Sequence, residues 1–389
     1  MELRRDAGRI GPSQGPWIRR RQIARILGSP DPHELAQVID RRGDTIAWGL
    51  VSAVSNITVR VVRFSEEPPA QTWLEDRLAA AFSARRAYRL DEEGTTGYRE
   101  VNSEGDGLPG LVIDRYADDL VVQITTAPMA ARQDAIVEWL RAHWSGRVHV
   151  VLPDHAAKHE GFDPGVHREG ERTTLQFTEH GLSFRVPAPP SQKTGAYFDQ
   201  RANRRTIAHL ARRHGGKMLD LGCHVGGFAL HARKLGVHVI GVDQSKLALD
   251  YAARNAADNG LEADWVEADL FGRLDATALE GPFGTIVLDP PKIATRKGDV
   301  ERALSALHRV VDRLIPRLED DGHLVVCSCS HHFDGAHLDR LVSSRLDPTF
   351  TRVQVLGAGF DHPVAPGHRE GEYLRVHVYQ RRRAHTESV

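Results

Sequence analysis

Beyond residue 216 the sequence alternates short apolar runs with longer segments of helical character. The apolar runs are KMLDLG, VHVIGVD, ADWVEAD, GTIVLD and GHLVVCS, and the clearest helical segment between them spans 246–259. Strands that alternate with helices of this length are typical of a parallel, doubly wound sheet. The sequence therefore predicts an α/β, Rossmann-like domain in the second half of the chain.

The residues before this domain show two other patterns. The run ITVRVVRF alternates as a half-buried strand does, and Gly and Pro punctuate what precedes it, which predicts a small β-rich unit ending near residue 66. After the two prolines at 68 and 69, helical spacing alternates with strand pairs and a hairpin, as in an α+β unit. We therefore predict three domains, with boundaries 1–66, 70–186 and 187–389.

Composition excludes several classes of protein. The 389 residues carry 51 Lys and Arg against 52 Asp and Glu, so bulk charge does not indicate a polyanion-binding protein. Three cysteines cannot form a disulfide framework for a chain of this length. No stretch has the apolar length of a signal peptide core or of a membrane span. We therefore expect a cytoplasmic protein with no membrane partner.

The first 63 residues nevertheless hold a local excess of positive charge. They contain eleven arginines, no lysine and six acidic residues, and Arg19, Arg20 and Arg21 are consecutive. A basic module on a neutral protein is the charge pattern expected of a surface that binds a polyanion. A solvated charged face is the alternative interpretation. The three consecutive arginines are our candidate contacts to such a polyanion.

Ligands of open α/β sheets bind outside the carboxyl ends of the strands, so the residues that end each predicted strand are informative. The first strand ends in DLGCHVGGF, where Gly222 and Gly226 let the backbone pass close to a ligand, although the dinucleotide pattern G-x-G-x-x-G is absent. Asp243 ends the second strand 21 residues after Gly222, the offset at which a carboxylate accepts the hydroxyls of a ribose. Asp269 ends the third strand and is able to accept from an exocyclic amine.

Prolines and cysteines mark the next two strand ends. In LDPPK the two prolines cannot donate to a sheet ladder, so the strand stops and Asp289 is held at the cleft. In CSCS, Cys327 and Cys329 share one side of the strand, with Cys329 nearer the cleft. Ligands crowded onto one short segment do not suit a zinc site, so we expect no metal. Cys327 fits buried packing, and Cys329 is the candidate nucleophile.

Taken in order, DLGCHVGGF, GVDQS, EADLF, LDPPK and CSCS resemble the class I S-adenosylmethionine-dependent methyltransferases. With SEGDGLPGLVIDRY (103–116), QKTGAYFDQR (192–201) and DHPV (361–364), the chain resembles the bacterial 23S ribosomal-RNA large-subunit methyltransferase I family, whose members make 5-methylcytosine. The resemblance implies a PUA-like β-barrel, a middle α+β unit and a catalytic domain. It also implies S-adenosylmethionine as the cofactor and ribosomal RNA as the substrate, and it leaves a homodimer open.

The same resemblance implies roles for individual residues. Cys329 and Asp289 are the candidate catalytic pair. With ribosomal RNA as the implied substrate, Arg19, Arg20 and Arg21 are candidate RNA contacts, and Lys292 is either a further phosphate contact or a surface residue. At 224 and 225 this chain has His and Val where the family often has an aromatic residue and Thr. The residues implied in cofactor binding are Thr194, Tyr197, Gln200, Asp220, Gly222, Cys223, Gly226, Asp243, Gln244, Asp269 and Asp289.

The chemistry of cytosine explains why a cysteine is expected. Carbon 5 of the ring is a poor nucleophile until a thiolate adds at carbon 6 and supplies electrons. Methylation of a purine nitrogen or of an exocyclic amine needs no thiol, and enzymes acting on amines commonly follow Asp-Pro-Pro with an aromatic residue where this chain has Lys292. A methyltransferase acting on such an atom or on a small molecule is the alternative function. A non-catalytic RNA-binding protein and a nicotinamide dehydrogenase are further alternatives.

Overall fold

The computed structural model describes residues 1–29, 31, 33–171, 173–188, 195–272, 281–292, 294, 296–343 and 350–382. The chain divides into two compact units. The first unit comprises Met1–Phe177, Pro187–Gly195 and Phe360–Gly371, and the second comprises Thr178–Val186, Ala196–Gly359 and Glu372–Val389. The boundaries 1–66, 70–186 and 187–389 remain predictions.

The N-terminal part of the first unit is a six-stranded sheet, which confirms the predicted β-rich fold. Its strand order is β2-β6-β5-β4-β1-β3. Ile18, Val38 and Val59 are fully buried and belong to one core cluster of this sheet. The six strands are β1 (Glu2–Leu3), β2 (Trp17–Arg19), β3 (Ile23–Arg25), β4 (Leu35–Ile39), β5 (Thr45–Val51) and β6 (Ile57–Arg63).

The rest of the first unit is an α+β arrangement around a five-stranded sheet. Leu74, Leu78 and Phe82 recur one turn apart on α1 and are all buried. The sheet order is β11-β10-β9-β8-β7. Its elements are α1 (Trp73–Ala87), β7 (Gly97–Asn102), β8 (Leu111–Tyr116), β9 (Asp119–Ile124), α2 (Ala127–Ala130), α3 (Gln133–His143), β10 (Arg147–Leu152), α4 (Asp154–Glu160) and β11 (Gly165–His167).

The late DHPV motif belongs to this first unit. Arg85 donates to the backbone oxygen of Asp361 at 3.0 Å, and Asn102 donates to that of Pro363 at 2.8 Å. A side chain at Gly105 would place its Cβ 1.8 Å from the Pro363 oxygen, so only glycine fits there. SEGDGLPG and DHPV therefore pack against each other across some 260 residues of sequence.

The second unit holds the predicted doubly wound sheet, in the order β16-β15-β14-β17-β18-β20-β19. Adjacent pairs among β14 to β18 are parallel, and β20 is antiparallel to both β18 and β19. A hairpin precedes the sheet. The elements are β12 (Thr174–Glu179), β13 (Leu182–Pro187), α5 (Arg201–His214), β14 (Lys217–Leu221), α6 (Gly227–Lys234), β15 (Val239–Asp243), α7 (Lys246–Asp258), β16 (Asp264–Glu267), β17 (Phe283–Leu288), α8 (Val300–Leu314), β18 (Leu318–Ser328), α9 (Gly335–Ser343), β19 (Phe350–Leu356) and β20 (Arg375–Arg381).

Both faces of this sheet are covered. Leu219, Leu288 and Val326 point to the side that packs against α8 and α9. Their neighbours Val287 and Cys327 pack in a second cluster with residues of α5 and α6. Strands buried on both faces explain the continuous apolar runs of the sequence. No helix within the described ranges has the length and apolar character needed to cross a membrane.

Candidate active site

The strand order reverses between β14 and β17, which places a topological switch point at their carboxyl ends. The Asp289 N–H donates to the Leu221 oxygen at 2.9 Å and ties the two strand ends together. Gly222 lies in the left-handed region at φ +81°, and a Cβ there would lie 2.2 Å from the Asp289 oxygen. Only glycine permits this approach, so Gly222 fixes the floor of the cleft where an open α/β sheet binds its ligand.

The two glycines that start α6 also meet the protein itself. A Cβ on Gly226, at φ +87°, would lie 2.9 Å from the ring of Trp265, and one on Gly227 would lie 2.6 Å from Nε of Arg204. The sequence interpretation assigned the small residues of this loop to ligand approach. The structure shows that they also let the loop pack against a β16 tryptophan and an α5 arginine.

Asp220 is a buried carboxyl below this loop. Its Oδ2 accepts the N–H of Ala229 at 3.0 Å, and within the described part of the chain no donor reaches Oδ1. Burial, followed by the nearby charge of Asp289, raises the pKa of Asp220 to about 8. A fully buried oxygen with unused hydrogen-bonding capacity fits a site that receives the polar groups of a bound cofactor.

The raised pKa of Asp220 predicts how pH affects the stability of the cofactor-free protein. Between the carboxyl's ordinary pKa and about 8, the folded state binds one more proton than the unfolded state, so the free energy of unfolding falls as pH rises. The slope from one such group is at most about 1.4 kcal/mol per pH unit. Asp220→Asn should remove it, as measured by urea unfolding from pH 5 to 8. Asp269→Asn, at an exposed position, is the control. Identical pH profiles of unfolding for wild type and Asp220→Asn would contradict a raised pKa of Asp220.

Asp243 ends β15 and holds the loop opposite. Its Oδ2 accepts the N–H of His224 and its Oδ1 that of Ser245, both at 2.9 Å. Each oxygen retains a second lone pair, so the carboxylate remains able to accept the two hydroxyls of a ribose. Asp243 therefore lies at the end of β15, and its role in holding a ribose remains a prediction.

His224 has an aromatic neighbour in the segment that precedes β14. The ring of Tyr197 meets that of His224 edge-on, with centroids 5.0 Å apart. Burial lowers the pKa of His224 to about 4, so the imidazole is neutral at physiological pH. Tyr197 and His224 together close one side of the loop with two uncharged rings.

The other cofactor candidates differ in exposure. Cys223 is buried, and burial raises the pKa of its thiol well above the ordinary value. Asp269 is exposed and accepts the N–H of Phe271 at 2.9 Å, and Gln244 is exposed as well. Thr194 lies outside the described residues.

Gln200 connects the segment before α5 to the β17 strand end. Its amide donates to Oδ2 of Asp289 at 3.2 Å, and its oxygen accepts from Asn203 at 2.7 Å. The Cys327 thiol lies within hydrogen-bonding reach of Gln200, and burial and then the Asp289 charge raise its pKa well above the ordinary value. Cys327 is therefore a protonated thiol, and it is buried as the sequence indicated.

Cys329 differs from Cys327 in position and accessibility. It follows the last residue of β18 and is half-buried, whereas Cys327 is fully buried. Of the two thiols, only Cys329 is open to a substrate. The structure thus brings an accessible cysteine and Asp289 to the carboxyl ends of two adjacent parallel strands.

Two further polar groups at this edge were not predicted. The hydroxyl of Tyr373 donates to Oδ2 of Asp199 at 2.7 Å, and the ring of His331 lies 6.0 Å from the Tyr373 ring. Asp199 is part of QKTGAYFDQR, but its partner follows 174 residues later, next to β20. No local sequence signal connects two such residues.

Arg204 is a third group that the sequence did not reveal. It pairs with Glu179 of the preceding hairpin at 2.8 and 3.0 Å, and it donates to the backbone oxygens of Ala196 and Tyr197 at 2.9 Å each. Although burial opposes ionisation, Arg204 and His231 hold the pKa of Glu179 below its ordinary value. Arg204 therefore positions the Tyr197 segment against the glycine loop.

The predicted RNA contacts are only partly available. Arg19 pairs with Glu370 at 3.0 Å, and its guanidinium lies 5.6 Å from the centre of the Trp17 ring. Arg20, Arg21 and Lys292 are exposed. The role of these four residues as RNA contacts therefore remains a prediction.

Comparison with known proteins agrees with this geometry. The family model "Methyltransferase small domain" matches residues 198–358, and "PUA-like domain" matches residues 3–64. The ribosomal RNA large subunit methyltransferase I of Photobacterium profundum is 34% identical over 375 residues, covering 92% of this chain and 94% of that protein. That of Shewanella amazonensis is also 34% identical, covering 92% and 93%.

Solved structures share the fold. A protein from Streptococcus mutans, described among the S-adenosylmethionine-dependent methyltransferases, has a TM-score of 0.79 at 15% identity and covers 98% of this chain and 99% of its own. SMU.776, solved in complex with SAH, has a TM-score of 0.74 at 16% identity, with 90% and 91% covered. The predicted fold class and family are thereby confirmed. With full-length relatives above 30% identity and a methyltransferase fold, the chain belongs to the ribosomal RNA large subunit methyltransferase I family.

Proposed function

We propose that this protein transfers a methyl group to carbon 5 of a cytosine in 23S ribosomal RNA, through a covalent adduct with Cys329. The family makes the protein an S-adenosylmethionine-dependent methyltransferase of large-subunit ribosomal RNA. The choice of atom rests on one observation: an accessible thiol and a carboxylate end adjacent parallel strands at the cofactor edge of the sheet. Such a substrate places the enzyme in the cytoplasm.

Cys329 supplies the electrons that carbon 5 lacks. Its thiolate adds at carbon 6 of the ring and makes carbon 5 enamine-like and nucleophilic. When bound, S-adenosylmethionine would supply a methyl group that carbon 5 takes, and its sulfonium would leave as a neutral thioether. Loss of the carbon 5 proton to a base and departure of the thiolate from carbon 6 then restore the aromatic ring. A cysteine suits both the addition and the elimination step because a thiolate is a strong nucleophile and a good leaving group.

Asp289 orients and polarises the base. Gln200 donates to its Oδ2, which fixes the carboxylate at the strand end. We assign to Asp289 the contacts with N3 and the exocyclic amine of cytosine. Its carboxylate would accept hydrogen bonds from the amine and from a protonated N3. Protonation at N3 draws electron density from the ring. The neighbouring prolines have no N–H to compete for the same acceptor.

In this proposal, residues at the ends of β14 and β15 would hold the cofactor. Asp243 would accept the ribose hydroxyls, Asp220 would receive a polar group at its unused oxygen, and Tyr197 would cover the loop. Thr194 and Asp269 retain the roles that the resemblance implies. The remaining contacts are assigned to Gln200, Gly222, Cys223, Gly226, Gln244 and Asp289.

The decisive experiment identifies the methylated nucleoside. The protein is incubated with methyl-labelled S-adenosylmethionine and unmodified large-subunit ribosomal RNA, and the RNA is digested to nucleosides. We expect the label in 5-methylcytidine. Small-subunit ribosomal RNA is the matched control and should remain unlabelled. Label in a purine or at the amine of cytosine would contradict the proposal and would favour the alternative in which no thiol takes part.

A further inference from the structure

The six-stranded sheet of the first unit carries a cavity that the proposed mechanism does not use. Its volume is about 490 Å³, and four arginines line it: Arg4, Arg5, Arg41 and Arg42. Glu2 is the one acidic residue in its lining. We call this feature the arginine cavity.

The topology of the sheet explains why four arginines meet here. β1 and β4 are adjacent and parallel, with Glu2 opposite Ile39. The first arginine pair directly follows β1, and the second follows β4 after one residue. Because the carboxyl ends of parallel strands lie at the same edge of a sheet, the two pairs are brought together although they are 37 residues apart in sequence.

The turn that carries the second pair is held by Asp40. Its Oδ1 accepts the backbone N–H groups of Arg42 at 2.8 Å and of Asp44 at 3.1 Å, and its own N–H donates to the Asp44 oxygen at 2.9 Å. Gly43 supplies the left-handed residue, at φ +90°. Arg41 and Arg42 therefore stand on a backbone that is ordered before any ligand arrives.

The positive charge of the cavity is not neutralised by the protein. Both short contacts of Glu2 are to Arg25, at 2.6 and 2.9 Å, so its charge is already compensated. Arg4 uses its Nε for the Ile23 oxygen at 3.1 Å. In the described part of the chain, the guanidinium groups of the other three arginines make no hydrogen bond or ion pair. Arg19, by contrast, is held by Glu370.

We propose that the arginine cavity binds backbone phosphates of the RNA substrate, an inference that rests on the proposed function for the identity of the polyanion. A guanidinium fork matches two phosphate oxygens at once, and several forks in one concave site suit consecutive phosphates. The cavity presents charge without an aromatic side chain in its lining, which favours contact with phosphates over stacking on bases. It therefore positions RNA without reading its sequence.

Salt dependence of RNA binding tests the proposal. The full-length Arg41→Ala/Arg42→Ala variant is compared with wild type in binding a labelled fragment of unmodified 23S ribosomal RNA over a series of salt concentrations. We expect the Kd to rise about tenfold at moderate salt and the slope of log Kd against log salt to fall by about 1 to 2, since each phosphate contact contributes about 0.7 to 0.9. Circular dichroism verifies that the exposed turn still folds.

Two matched variants isolate the cavity from charge in general. Arg63→Ala/Arg86→Ala removes two exposed arginines of the same unit outside the cavity and should change the Kd less than twofold. Arg41→Lys/Arg42→Lys keeps the charge and should keep the salt slope while weakening binding, because the bidentate fork is lost. Equal losses for the cavity and control variants would overturn the proposal.

Other outcomes separate this inference from the proposed function. Wild type that methylates RNA, with an unchanged slope in Arg41→Ala/Arg42→Ala, overturns the cavity proposal alone. Wild type that neither binds nor methylates RNA overturns the proposed function. Competition with a mononucleotide distinguishes the source of the phosphate: full displacement of RNA at millimolar concentration would show a free-nucleotide site and would overturn an RNA-backbone site.

Discussion

Cys329→Ala should abolish methylation while leaving the fold and cofactor binding unchanged. Without the thiolate at carbon 6, carbon 5 of cytosine is not nucleophilic enough to accept a methyl group. We expect kcat to fall by roughly 10³-fold or more, as when other covalent nucleophiles are removed. Cys329 is half-buried and follows the end of β18, so the smaller side chain should not disturb the sheet. The measurement is the rate of label transfer to ribosomal RNA under saturating S-adenosylmethionine.

Cys327→Ala is the matched control because it removes a thiol from the same strand. Cys327 is fully buried and packs with Val287 and Val325, so its loss should lower stability modestly but leave most of the activity. A substrate RNA containing 5-fluorocytidine gives a second readout, since fluorine at carbon 5 cannot leave as the proton does and the adduct accumulates. Wild type and Cys327→Ala should form a covalent protein–RNA complex, and Cys329→Ala should not. An adduct with Cys329→Ala would reject the assignment.

The sequence predicted those parts of the second unit that depend on local pattern. All five predicted strands are present, and the predicted helix 246–259 is observed as Lys246–Asp258. Parallel strands buried on both faces leave apolar runs that end abruptly, so Asp243 and Asp289 were recognisable at the strand ends. β19 and β20 were not predicted, because this antiparallel pair lacks the regular strand and helix alternation that identified the others.

Contacts between distant segments were beyond the sequence alone. The Tyr373 bond to Asp199 and the packing of DHPV against SEGDGLPG within the first unit join segments more than 170 residues apart. Arg204 is similar: an arginine in a helix of several arginines is usually a solvated residue, and only the fold shows that this one is buried. The arginine cavity could be recognised only from the parallel pairing of β1 with β4, because in the sequence Arg41 and Arg42 look like an ordinary charged turn.

The second large effect is expected at Arg204. Arg204→Met would leave the buried Glu179 without its ion-pair partner and would remove the donor for the oxygens of Ala196 and Tyr197. Loss of one partner of a buried ion pair typically costs about 3–5 kcal/mol. We expect a decrease of this size in the free energy of unfolding, measured by urea denaturation at pH 7. Arg213→Met changes an exposed arginine in the same helix and should cost less than about 0.5 kcal/mol.

A double variant distinguishes a buried pair from general damage to the core. In Glu179→Leu/Arg204→Met neither partner of this buried ion pair remains, so stability should recover partly relative to Arg204→Met alone. The recovered protein would still lack the donor to the Tyr197 segment, which faces His224 across the glycine loop. We therefore expect its KM for S-adenosylmethionine to stay raised several-fold while kcat at saturation changes little. Additive losses of stability in the double variant, or an unchanged KM, would show that Arg204 does not position this segment.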